Sequence, residues 1–255
     1  MTTGRIEPHS ASVADFDDLW RSSTWQTRLA GPVLPAATTW VALICGLAAA
    51  DIVGNVVVDG PLQVPTKLAM VLVAVVAARW SGISWAAMGM SWSRLARGLL
   101  VGGAAAAVIA AVVALGVLLP ALAGLFDAGD AANDDAGERA VRLGVMIPLG
   151  TVVFEEVLFR SVAFGALLAV HSVRGALIGQ AVLFGLWHLV PAISGADGTA
   201  LVVAGSLTAT VVATGVAGLG FGWLRLRGNS VAAPAVAHLA SNSFGYLLAA
   251  LFLDT

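Results

Sequence analysis

Residues 154–160 read FEEVLFR and place two glutamates and an arginine inside a long apolar stretch. The surrounding segment, 141–170, is long enough to cross a bilayer, which needs about 20 mostly apolar residues. A carboxylate or a guanidinium at mid-bilayer costs about 2.5–3.5 kcal/mol on insertion scales. Glu155, Glu156 and Arg160 therefore have to face the interior of a helix bundle, where they can pair or line a wet cavity.

The composition of the whole chain is that of a membrane protein. Of its 255 residues, 59% are apolar and 11% are charged, whereas soluble domains contain about 45–50% apolar and about 25% charged residues. A soluble domain of this length could not bury so much apolar surface. The net charge of −2 and the lack of a basic run argue against nucleic-acid binding. The single cysteine, Cys45, excludes an intramolecular disulfide.

Seven apolar segments predict an all-α fold, a polytopic transmembrane helix bundle of about seven spans. The polar residues 1–32 precede the first span as an N-terminal tail. Residues 33–140 form the N-terminal transmembrane helices, and residues 141–255 carry the polar motifs. The predicted spans are 33–58, 61–80, 98–125, 141–170, 174–191, 200–224 and 230–253.

Basic and aromatic residues predict how the chain is oriented. Trp80, Trp85 and Trp92 alternate with arginines in segment 79–97, which is typical of an interfacial segment at headgroup depth. An inside N-terminus places nine basic residues in inner segments and three in outer ones, so we predict N-in and C-out. The inner set is Arg5, Arg21, Arg28, Arg79, Arg94, Arg97, Arg174, Arg225 and Arg227, and the outer set is Lys67, Arg139 and Arg142.

Two further spans carry polar side chains. The sequence FGLWH, 184–188, places His188 late in the fifth span, and HLASN, 238–242, places His238 and Asn242 four residues apart on one face of the seventh. Glu156 and Arg160 are also four apart, so we predict that they form an ion pair. Glu155 is rotated about 100° from Glu156 around the helix axis and is left available for proton transfer.

Glutamate, histidine and amide side chains from three spans favour hydrolysis of an amide bond by activated water. A carboxylate in a low-dielectric cavity is a good base towards water, and histidine or asparagine can stabilise an oxyanion. Alternatively, Glu155, His188 and His238 could bind a divalent metal such as zinc and leave one position open for water. Intramembrane glutamate and histidine also form proton relays, so a proton-coupled transporter stays open.

The order and spacing of EEVLFR, FGLWH and HLASN resemble the CPBP family of intramembrane proteases, which groups CAAX prenyl endopeptidases with Abi-type bacteriocin-processing and immunity proteins. The resemblance covers about residues 141–253. It implies that 141–255 is a catalytic core in which Glu155 activates water with help from His188. It implies that Glu156 and Arg160 support the motif, and that His238 and Asn242 bind the oxyanion or position water.

The resemblance implies an intramembrane endopeptidase that cleaves a membrane-associated peptide or protein. The same family contains non-proteolytic immunity or scaffold proteins, which remain an alternative. The resemblance does not decide whether the site is metal-free or holds a divalent metal such as zinc. The Ala-, Val- and Gly-rich composition is typical of a high-GC bacterium. We therefore expect a multi-pass protein of the bacterial inner membrane that contacts the lipid bilayer.

Overall fold

The computed structural model describes residues 34–118, 134–194 and 198–252, and within these ranges every regular element is a helix. The predicted N-terminal tail, 1–32, lies outside the described residues. The α-helices are α1 (Ala36–Ile52), α2 (Gln63–Trp80), α3 (Leu95–Leu118), α4 (Ala136–Val141), α5 (Phe164–Val170), α6 (Val173–Trp187), α7 (Leu189–Ser194), α8 (Ala200–Gly228) and α9 (Ala232–Phe252). The other helical segments are 3-10 helices at Gly60–Leu62 and Trp92–Arg94, and π-helices at Val53–Val57, Arg142–Val153 and Glu156–Ala163.

The helices follow the predicted spans, and the chain is a multi-pass membrane protein. Among the described residues, five helical stretches are long and apolar enough to cross a bilayer. The stretch at 136–170 and α9 are the two long helices outside this set, and they carry the charged and histidine motifs. The all-α bundle is therefore confirmed, while the number of spans and the N-in orientation stay predictions. The five stretches are Ala36–Val57, Gly60–Trp80, Trp92–Gly116, Val173–Ile193 and Ala200–Gly228.

Residues 136–170 form one continuous helix, here called the motif helix, which runs through two π-helical segments. Asp135 and Glu138 close a capping box at its start. Asp134 lies just before the start of this helix. Hydrogen bonds from Arg142 and then Tyr246 hold the pKa of Asp134 below its usual value. The Tyr246 bond joins the start of the motif helix to the second half of α9.

Helix α2 packs parallel to the motif helix. A Cβ on Gly150 would lie 3.2 Å from Val64, and the Lys67 ammonium lies 5.2 Å from the ring centre of Phe154. Further along, a Cβ on Gly165 would lie 3.1 Å from Ile83. Residue numbers thus rise together in the two helices, and Lys67 lies level with the start of the FEEVLFR motif.

The predicted interfacial segment, 79–97, is partly drawn into the bundle. The Trp80 and Trp92 side chains are 87% and 86% exposed, as an interfacial position requires, but Ala87 and Met88 are buried. The backbone oxygen of Gly89 accepts a hydrogen bond from Val231 at 3.0 Å, which ties the segment to the turn before α9. The segment therefore also supports the interior of the bundle.

Two basic residues of the topology count are buried inside the bundle, although the side of the membrane that each faces stays a prediction. Lys67 belongs to α2 and is 7% exposed, while Arg225 belongs to α8 and is fully buried. Their burial could not be predicted, because a hydropathy pattern reads a charge at the edge of an apolar run as the end of a span, although the charge can point inward.

Candidate active site

The two adjacent glutamates of the motif helix face different surroundings, as the helix geometry predicts. The Glu156 side chain is 1% exposed and the Glu155 side chain is 12% exposed. Glu156 lies 3.2 Å from Arg160 Nη1, so the predicted ion pair is confirmed. Glu156 is thus fixed inside the bundle, and Glu155 keeps limited access to an approaching molecule.

His238 of α9 lies between the two carboxylates and contacts each with a different ring nitrogen. Nδ1 is 2.8 Å from Glu156 Oε1, and Nε2 is 3.9 Å from Glu155 Oε2. Phe221 of α8 stacks on the imidazole with ring centroids 4.9 Å apart. Because a carboxylate only accepts hydrogen bonds, Nδ1 carries a proton and donates a hydrogen bond to Glu156. In the neutral ring, the lone pair of Nε2 then faces Glu155.

Arg160 is fully buried among aromatic rings. Its guanidinium lies 3.9 Å from the ring centre of Phe184 and 5.1 Å from that of Phe221. None of its three nitrogens makes a hydrogen bond within the described part of the chain. The charge is therefore balanced by the Glu156 carboxylate and by cation–π contacts, which strengthen when both partners are desolvated. The phenylalanine of the FGLWH motif thus serves as a platform for Arg160.

His188 occupies a break between α6 and α7. Its Nδ1 lies 2.8 Å from the backbone oxygen of Phe184, so Nδ1 is the donor and Nε2 is left for other partners. His188 also interacts electrostatically with Glu155. The Phe184 ring contacts both histidines, with its centroid 4.7 Å from that of His188 and 6.4 Å from that of His238. The structure therefore brings His188 and His238 to the same part of the bundle.

Asn242 lies one turn beyond His238 on α9, but the structure does not bring it to the glutamates. Its Oδ1 accepts a hydrogen bond of 3.3 Å from Ser241. Among the described residues it makes no hydrogen bond with Glu155 or Glu156. Its amide nitrogen is free to donate, so its role at an oxyanion stays a prediction.

Buried polar residues outside the predicted set also support the site. Arg225 donates from Nε to the backbone oxygen of Arg160 at 3.3 Å and from Nη2 to that of Ala87 at 3.0 Å. Asp51 of α1 is buried, accepts a hydrogen bond from Asn55 and interacts electrostatically with His188. The sequence did show Asp51 as a charge within the first span, which was the available signal for a polar partner.

The predicted metal-binding set is not assembled in the structure. Within the described residues, no group of three or more His, Cys, Asp or Glu side chains is arranged to hold a metal ion. His238 directs Nδ1 to Glu156, and His188 directs Nδ1 to a backbone carbonyl, so Nε2 is the nitrogen that each could offer to a metal. Metal dependence therefore stays a prediction, and the chemistry proposed for this site uses the side chains of the protein alone.

The comparison with known families gives a match over the part of the chain that carries the motifs. Residues 138–244 match the family model described as Type II CAAX prenyl endopeptidase Rce1-like. The matched range contains all six predicted site residues, from Glu155 to Asn242. No curated protein and no solved structure matches the chain.

Proposed function

Because residues 138–244 match the family model described as Type II CAAX prenyl endopeptidase Rce1-like, we propose that this chain is an intramembrane endopeptidase. It hydrolyses a peptide bond in a membrane-associated peptide or protein, with a water activated by Glu155. The position of His238 between two carboxylates is the single observation that supports this best. A base and a ring nitrogen facing each other across a short gap can hold and polarise one water.

The reaction follows from which of these groups can accept a proton and which can donate one. Glu155 takes a proton from the water, whose oxygen attacks the carbonyl carbon. Glu155 then gives the proton to the leaving amine nitrogen as the C–N bond breaks. The free amide of Asn242 is suited to donate to the oxyanion that forms between these steps. His188 Nε2 can accept a hydrogen bond from the water or the substrate, because Nδ1 carries the proton of the neutral ring.

Glu156 and Arg160 act through His238 in this proposal. The Glu156 carboxylate keeps the proton on Nδ1, and Arg160 compensates the buried negative charge. A buried carboxylate without such a partner would be strongly destabilising. Glu156 is thus a positioning residue, in contrast to Glu155, which touches the reacting water.

We further propose that the protein acts in a bacterial inner membrane on a peptide or protein segment that is not prenylated. The Ala-, Val- and Gly-rich composition supports a high-GC bacterial source, in which prenylated protein tails are not expected. The apolar helices hold the site within or close to the bilayer, so the substrate has to be membrane-associated.

The test is cleavage of a library of fluorescence-quenched, membrane-anchored peptides by the full chain in lipid nanodiscs. Glu155→Gln keeps the shape and removes the base, so kcat should fall about 10²–10⁴-fold. Glu138→Gln is the matched control, because Glu138 is exposed on the same helix and glutamine also closes a capping box.

Two results would contradict the proposal. Wild-type protein that cleaves no peptide but drives proton flux in vesicles, lost on Glu155→Gln, would indicate the transporter. A folded Glu155→Gln variant that keeps its full biological activity would indicate a non-proteolytic member of the family.

A further inference from the structure

Lys67 is the only lysine in the chain, and it is buried in α2. It is 7% exposed, and its ammonium forms no ion pair and no hydrogen bond with any residue that the structure describes. A buried cation in this state is costly unless an oxygen atom reaches it. The Lys67 ammonium is therefore a candidate contact for a bound molecule.

The position of Lys67 links it to the reacting groups. Its ammonium lies over the ring of Phe154, the residue before Glu155, at 5.2 Å from the ring centre. Phe154 packs edge-on against Trp187, the residue before His188, with ring centroids 5.6 Å apart. Lys67 also interacts electrostatically with Glu155 and Asp51. Helix α2 thus brings a cation to the side of the site formed by the motif helix and α6.

A glycine in the π-helix that follows α1 confines the lysine side chain. A Cβ on Gly54 would lie 3.3 Å from Lys67 Cε and 3.2 Å from Met70 Cε. The aliphatic stem therefore fills the space that a side chain at 54 would occupy, and the ammonium is kept beside Phe154. A cation held in place before a substrate arrives needs little reorganisation during the reaction.

The surrounding charges indicate what kind of oxygen Lys67 would meet. Three carboxylates, Asp51, Glu155 and Glu156, are opposed by three buried cations, which are Lys67, Arg160 and Arg225. With neutral histidines the formal charges of this set balance. A full anion would disturb that balance, so a neutral carbonyl oxygen is the favoured ligand.

We propose that Lys67 is an additional catalytic residue, whose ammonium donates a hydrogen bond to the carbonyl oxygen of the peptide bond that is hydrolysed. This inference rests on the proposed endopeptidase function. As water adds to the carbonyl carbon, the carbonyl π electrons move to that oxygen, and the fixed cation stabilises the resulting oxyanion. Lys67 stays protonated throughout, because Glu155 carries the proton from the water to the leaving nitrogen.

The test compares Lys67→Met with Lys67→Arg in nanodiscs, using the peptide that wild type cleaves best. Lys67→Met keeps the length and removes the cation, so kcat should fall about 10²–10³-fold with little change in KM. Lys67→Arg keeps a donor and a charge and should retain clearly more activity than Lys67→Met. Thermal unfolding of each variant checks that it is folded.

A chemical rescue keeps the test independent of folding differences. In a Cys45→Ser background, Lys67→Cys can be alkylated with 2-bromoethylamine, which restores an ammonium at almost the length of lysine. Cys45 is exposed, so its replacement should leave activity unchanged. We expect alkylation to raise kcat at least tenfold, while ethylation with an uncharged reagent should not.

Three outcomes would overturn the inference. Wild-type kcat in Lys67→Met would remove Lys67 from the reaction while leaving the proposed function intact. A change in KM alone would assign Lys67 to general substrate binding instead of the oxyanion. Wild-type protein that cleaves no peptide would overturn the proposed function and this inference together.

Discussion

His238 uses its two ring nitrogens for two different glutamates, and this sets which nitrogen is protonated. The Glu156 carboxylate at 2.8 Å can only accept, so the Nδ1–H tautomer is favoured. The opposite nitrogen then presents a lone pair towards Glu155. A single buried carboxylate thus determines whether the nitrogen at the reacting side accepts or donates a hydrogen bond.

Glu156→Gln tests this assignment. The amide that the substitution introduces can donate to Nδ1, which would move the imidazole proton to Nε2, and it also leaves Arg160 without a counter-charge. We expect kcat to fall about 10²-fold or more at a nearly unchanged KM. Steady-state kinetics with the library peptide measures both.

Glu156→Asp serves as the comparison, since it keeps the negative charge with a shorter reach. It should retain more activity than Glu156→Gln. If the two variants were equally active, or if Glu156→Gln kept wild-type kcat, the control of the His238 tautomer by Glu156 would be wrong.

Among the helices, the motif helix is unusual for its two long π-helical segments, because such helices usually occur as single-turn bulges. Pro148 lies inside the first segment and lacks the N–H that a regular helix needs. The second segment, Glu156–Ala163, carries Arg160 and begins directly after Glu155. The wider turns change the angle between successive side chains, and in this helix both glutamates lie beside His238.

A second contact between elements is made by Arg225, which links α8 to the motif helix and to the segment at 81–91. Arg225 donates to the backbone oxygens of Arg160 and Ala87, and its guanidinium occupies the space beside Gly89. Gly89 has φ +72°, which favours glycine. Arg225 therefore acts as a buried clamp behind the Glu156–Arg160 pair.

Gly89→Ala should destabilise the protein through this clamp. A Cβ at 89 would overlap the Arg225 guanidinium, in addition to the backbone strain at positive φ. We expect a loss of about 2–4 kcal/mol in the free energy of unfolding. Thermal unfolding in detergent and SDS titration measure it.

Gly60→Ala is the matched control for backbone strain alone. Gly60 also has positive φ, at +59°, but nothing lies within 4 Å of a Cβ added there. Its loss should be about 1 kcal/mol. Equal losses for the two variants would show that the contact between Gly89 and Arg225 has no energetic importance.

Over the whole molecule, the features that the sequence could predict are those set by local geometry and by composition. The spans follow from runs of apolar residues, and the Glu156–Arg160 pair follows from the four-residue spacing on a helix. The family domain follows from three motifs in order, and the match over 138–244 confirms it. These inferences need no knowledge of how the helices pack.

The remaining features depend on packing between distant parts of the chain. Nothing in the local sequence places His238 against two glutamates 82 residues earlier, or turns Lys67 and Arg225 inward. The π-helical segments also cannot be predicted from a sequence pattern that assumes 3.6 residues per turn. Lys67 and Asp51 lie outside the matched family range, so the N-terminal helices contribute buried charges that the family match does not include.

The most direct test of the central claim, that Glu155 activates a water instead of attacking the peptide itself, is a single-turnover cleavage in H₂¹⁸O with enzyme in excess. Mass spectrometry then locates the heavy oxygen. Water activation predicts one ¹⁸O in the new C-terminal carboxylate of the peptide and none in Glu155. Recovery of ¹⁸O in the Glu155 side chain, with an unlabelled peptide product, would contradict the account.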